Sequence, residues 1–179
     1  MNPFTNTQLV RHILSAEGLQ FATPPAPPIN GPYGSPEVTS LSFGTDANSG
    51  WTLILFTHPN GALLRMYSHV LSLHTLQPAN VQRLLELLNT ANFELLTDST
   101  VEYSQPTATI RYRAAFHPLG IGLPVAETRN AIQQHIVRSN YLHHLLKAAY
   151  LSQAPDPSTA IRDSHFQARM ATGQPTPTF

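Results

Sequence analysis

The chain has 179 residues, ten basic and ten acidic side chains, nine histidines and no cysteine. That length suits one ordinary domain with extensions, large enough to bury a core without disulfides or metal staples. Zero net charge argues against a nucleic-acid binder working through a broad basic face, and the lack of cysteine excludes a disulfide framework, a thiolate zinc site and a cysteine nucleophile.

No apolar run approaches the ~18 residues of a membrane-spanning helix. The start, Met1-Asn2-Pro3-Phe4, has no basic stretch followed by an apolar one, so no secretory signal is expected and the expected location is cytoplasmic. Charged residues are 11% of the chain, against about 25% in an average soluble domain. Such a surface carries little repulsion between copies and tolerates self-association.

In chain order, Thr5 and Gln8 are spaced as a capping box ahead of Leu9, Val10, Ile13 and Leu14, and Gly18 stops that helix near residue 17. The run Thr23-Pro24-Pro25-Ala26-Pro27-Pro28-Ile29-Asn30-Gly31-Pro32, reaching Pro36, excludes helix and central strand and predicts an extended, polyproline-like strap. One reading makes it a PxxP-type ligand with Pro25, Pro28 and Tyr33 as contacts; the other makes it a semi-rigid linker laid across the domain. Val38 to Gly44 predicts a first strand, and Trp51 to Thr57, apolar on both faces, a central one. His58-Pro59-Asn60-Gly61 is a hairpin signal, with Ala62 to Val70 as the antiparallel return.

Pro78 suits the first turn of a helix whose stripe is Val81, Leu84, Leu85 and Leu88, closed by Asn89 or Asn92. Phe93 to Tyr103 and Ala108 to Phe116 predict a second hairpin around Gln105-Pro106. In its second strand Ile110, Tyr112, Ala114 and Phe116 take the buried face, and Thr109, Arg111, Arg113 and Ala115 the solvated one. Pro124 opens the longest helix, to about Tyr150, with Val125, Ile132, Ile136, His143, Leu146 and Tyr150 on one stripe. A weaker helical segment, Ser158 to Ala171, bears Ile161, Phe166 and Met170.

This order predicts a single α+β domain, α-βββ-α-ββ-α, with a mainly antiparallel five-stranded sheet packed by helices on one face. Its parts are a helix within residues 1–20, the strap at 21–37, an α+β core at 38–151 and a polar, proline-flanked tail at 152–179.

Leu84-Leu85-Glu86-Leu87-Leu88-Asn89 through Phe93-Glu94-Leu95, then Ile110-Arg111-Tyr112-Arg113-Ala114-Ala115-Phe116 and the long closing helix, resemble the second half of the YbjN-like and type III secretion chaperone-like family. The resemblance is one of pattern, over residues 5–20 and 38–150. It implies a small α+β domain, often dimeric and without a catalytic signature; the chaperone branch binds extended segments of partner proteins. The proline-rich strap, the low acidity and the tail depart from the pattern.

Nine histidines raise the question of a metal. His135, His143 and His144 share the last helix, His69 and His74 flank the end of the third strand, and His58 and His117 sit beside prolines. None has the spacing of a zinc pair with a nearby carboxylate, and no metal or cofactor is expected. His143 reads as a core or interface histidine. The carboxylates are scattered, and neither a nucleophile elbow nor a phosphate-binding glycine loop occurs, so no enzyme is expected.

Arg111 and Arg113 share one strand face, which suits a bidentate grip on phosphate or carboxylate, or a solvated face paired to Glu102 or Glu94. Ile161, Phe166 and Met170 suit a helix anchored in a neighbour's groove, or one folded back on its own core. The expected function is a non-enzymatic protein-binding module, chaperone-like or an adaptor, acting as a homodimer or complex subunit with protein partners and no nucleic acid. The alternative is a structural accessory subunit of a large phage, secretion or photosynthetic assembly, clamped by its arms. A histidine-based metal enzyme ranks third.

Overall fold

A computed structural model describes residues 5–25, 35–44, 50–59, 61–75, 80–120 and 122–179. Its elements are α1 (Asn6–Ala16), β1 (Glu37–Phe43), β2 (Trp51–Thr57), β3 (Leu64–Ser72), a 3-10 turn (Leu73–Thr75), α2 (Val81–Glu94), β4 (Thr100–Ser104), a second 3-10 turn (Gln105–Thr107), β5 (Thr109–Phe116), α3 (Val125–Leu151) and α4 (Pro157–Thr172). The strands form one antiparallel five-stranded sheet in the order β1-β2-β3-β5-β4. The α+β class is as the sequence predicts, and the segment 152–179 contributes α4 as a further helix.

Local chemistry sets the elements. Thr5 and Gln8 form the complete capping box of α1. Asn6 Nδ2 then donates to the carbonyls of His58 and Gly61, 2.9 Å each, so the start of α1 clasps the β2–β3 turn. Asp156 caps α4 through Thr159 N–H, and Gly173 ends it at φ 65°, a left-handed geometry that glycine takes without steric cost.

The described helices pack on one face of the sheet, over two apolar clusters. Leu9, Ile13 and Leu14 of α1 meet Leu53, Leu55, Leu64 and Met66 of the sheet and Ile132 of α3. Leu84, Leu87 and Leu88 of α2 meet Ile110, Tyr112, the Tyr141–Ala149 stretch of α3 and Ile161 of α4. Helix α3 passes through both clusters, which ties the halves into one unit. Among the described residues no helix is long and apolar enough to cross a membrane.

Several expectations change. Asn92 does not close α2: it accepts from Val101 N–H at 2.8 Å and donates to Val101 O at 2.9 Å, fastening the helix to β4. The helix therefore runs on to Glu94, Phe93 is 92% exposed on it, and β4 starts only at Thr100. Val81 and Leu85 of the expected stripe are exposed, because α2 lies at the sheet's margin and is covered along Leu84, Leu87, Leu88 and Ala91 alone. Val125 is exposed at the first turn of α3, ahead of the point where that helix meets the sheet. Pro28, Tyr33, Asn60 and Pro78 lie outside the described residues.

Candidate functional site

The outer face of the sheet carries no described helix. One row crosses all five strands: Ser40, Ile54, Tyr67, Arg113 and Thr100. The next row, Val38, Phe56, Arg65 and Ala115, stops at β5, because β4 pairs with β5 only from Thr100 opposite Arg113 to Ser104 opposite Thr109. The chain ahead of β4 is held toward the helical layer instead. Asp98 meets Arg138 of α3 at 3.3 and 3.5 Å, and Thr97 Oγ1 donates to Phe179 O at 2.9 Å. Residues Ala114 to Phe116 thus form a short uncovered strand edge, whose outward backbone groups lack a β4 partner.

Each face of that edge carries a cavity. On the outer side a cavity of about 680 Å³ is lined by Arg65, Tyr67, Ser99, Thr100, Arg113 and Ala115. On the inner side, between sheet and α3, one of about 240 Å³ is lined by Met66, Tyr112, Ala114, Gln134, His135 and Arg138. Asp98, Ala114 and Ala115 border both. Two consecutive alanines make the space, since their methyl groups leave the sheet surface low on both faces.

Residues that line the two cavities carry buried polar atoms without partners. The hydroxyls of Ser99 and Thr100, His135 Nδ1 and the Tyr112 hydroxyl are buried and make no hydrogen bond. Such groups cost about 1–3 kcal/mol each when left unsatisfied. His135 Nε2 lies 3.0 Å from Ser68 Oγ, and Ser139 Oγ lies 2.7 Å from both Ser68 Oγ and the His135 carbonyl. The imidazole also stacks on Tyr112, with centroids 4.7 Å apart.

Burial, and then the nearby Arg138 charge, lower the pKa of His135 to about 3, so this ring stays neutral. Ser68 is fully buried, and the carboxylate of Asp98 pairs with Arg138 without bonding the imidazole. Ser68, His135 and Ser139 thus form a polar set buried between the sheet and α3. Burial and the Arg111 charge likewise lower the pKa of His69 on the outer face. His143 is buried in α3 with Nδ1 on the Val70 carbonyl. Among the described residues no three His, Asp or Glu side chains gather as a metal-binding group.

The residues singled out by sequence fall in different places. Arg111 is engaged by Glu102 at 2.6 Å, as a cross-strand partner on the solvated face. Arg113 reaches Glu102 only at 3.8 Å and lines the outer cavity. Ile161 is 1% exposed in the cluster beneath α2 and α3, so it anchors α4 to its own domain and is withdrawn from any partner. Phe166 and Met170 are exposed on α4, 62% and 70%, and Pro25 is exposed three residues beyond the isolated bridge between Ala22 and Ser40.

Sequence reasoning missed Arg65, Ser99 and Thr100. Ala114-Ala115 was the available signal: two small residues in a strand otherwise built of large ones. Comparison of the chain with protein-family models, with curated proteins and with solved structures finds no match in any of the three.

Proposed function

We propose that the protein is a non-enzymatic protein-binding module of the cytoplasm, chaperone-like or an adaptor, which receives an extended segment of a partner protein along the bare edge of β5. The supporting observation is the edge at Ala114–Phe116 with a cavity on each face. A strand added there satisfies the free backbone groups, and its successive side chains alternate between the two cavities. The resemblance to a family whose chaperone branch binds extended segments agrees with this reading.

The test is native co-purification with the full chain and with Ala115→Lys, which places a charge on an exposed position of the edge. A partner bound to the full chain should be lost with Ala115→Lys, and in the recovered complex amide exchange at residues 114–116 should slow. A partner retained by Ala115→Lys with unchanged exchange overturns the reading. A second reading, an accessory subunit of a larger assembly, is favoured by the exposed pair Phe166 and Met170 one turn apart on α4. It predicts that Phe166→Ser with Met170→Ser loses the partner while Ala115→Lys keeps it.

A further inference from the structure

The outer cavity is furnished with donors. Arg65 is exposed and makes no ion pair among the described residues. Arg113 lies 3.8 Å from Glu102 Oε2, while Arg111 takes the other carboxylate oxygen, Oε1, at 2.6 Å. Asp98, the carboxylate on the rim, is neutralised by Arg138. Three of the chain's ten basic side chains, Arg65, Arg111 and Arg113, stand on this face, against Glu102. The neutral charge of the whole chain hides this local excess.

The two cavity arginines are placed to converge. Arg65 is the register partner of Ala115, and Arg113 lies two residues along β5 on the same face. Both flank the low floor that Ala115 provides, and Ser99 and Thr100 line the same cavity. Two guanidinium groups around a concave space match an acceptor-only group bearing negative charge. A neutral ligand would leave the arginines uncompensated, and a cation would be repelled.

We propose that this cavity is an oxyanion-binding site, taking a phosphate or carboxylate group between Arg65 and Arg113. That the group is carried by the docked segment rests on the edge reading above: a residue added opposite Ala115 continues the row Phe56, Arg65, Ala115 on the outer face and brings its side chain here. The anion site itself stands without that reading.

The test is titration of the full chain with inorganic phosphate and, separately, acetate, followed by NMR at the arginine Nε–H groups and the threonine methyls. Saturable shifts at Arg65, Arg113 and Thr100 are expected with at least one anion, and the anion that binds tells a phosphate-bearing ligand from an acidic side chain. Arg65→Gln, at an exposed position, should weaken binding about tenfold or more.

Shifts that grow without saturation, and equally at Arg11 and Arg162, would mean general ionic screening and overturn the proposal. So would unchanged binding by Arg65→Gln. Because no partner protein enters this titration, its failure leaves the edge reading to its own amide-exchange test, and failure of that test leaves the anion site standing.

Discussion

The two halves of the helical layer are finished differently. The half around α1 pairs its sheet margin at one point: Ala22 and Ser40 exchange backbone hydrogen bonds of 2.8 and 2.9 Å beside β1, and Arg11 lies 3.5 Å from Thr39 and 3.8 Å from Glu37. The half around α2 and α4 ends with β4, which stops short and leaves β5 bare from Ala114 to Phe116. Between the halves lies the polar set of Ser68, His135 and Ser139. A strand edge is a liability unless it is paired or covered, so the margin left unpaired is where a binding function is to be sought.

The sharpest way to break this comparison is to ask whether the halves unfold as one. Leu142→Ala empties a fully buried position in the α2–α4 half and should cost about 3 kcal/mol. Trp51, the single tryptophan, reports on the other half, stacked 4.2 Å from Phe43. In urea unfolding, Trp51 fluorescence and far-UV circular dichroism should shift together, because α3 carries both Ile132 of one cluster and Leu142 of the other. Separate transitions would show two independent units.

A smaller effect sharpens the role of the polar set. Above the ordinary histidine pKa of 6.5, His135 is neutral in both folded and unfolded chains and contributes no pH dependence. Below it the unfolded chain takes up a proton that the buried ring refuses until about pH 3, so stability falls with falling pH. One such group gives a slope approaching about 1.4 kcal/mol per pH unit. His69, His143, His144 and His165 are lowered in the same direction and steepen it. Urea midpoints of His135→Gln should fall less between about pH 7 and about pH 5 than those of the unmodified chain. Parallel lines would mean that His135 is charged in the fold.

The smallest effect belongs to the exposed clasp between α1 and α3. Arg129 and Glu17 meet at 3.3 Å on the surface, and Arg129→Ala should cost less than about 0.5 kcal/mol, a difference that added salt removes. A larger, salt-resistant loss would make that contact part of the paired margin itself.

Much of the fold was legible because its signals are local. The Thr5–Gln8 box, the alternation of Ile110, Tyr112, Ala114 and Phe116, and the proline-opened α3 each act within a few residues. The end of α2 was not legible, because Asn92 looks like a helix stop until Val101 comes within 2.8 Å of it. Ile161, Phe166 and Met170 were equivalent in sequence; only the packing of α4 buried the first and left the others exposed.

The candidate site shows the same division. Sequence by itself determined the strand, the outward direction of Arg113 and the small pair Ala114-Ala115, since side chains alternate along any strand. Tertiary structure alone decided that β5 pairs with β3 and so sets Arg65 beside Ala115, and that Asp98 turns to Arg138 while β4 begins only at Thr100. Those pairings join residues far apart in the chain. Their outcome depends on which strands become neighbours, and no local pattern encodes that.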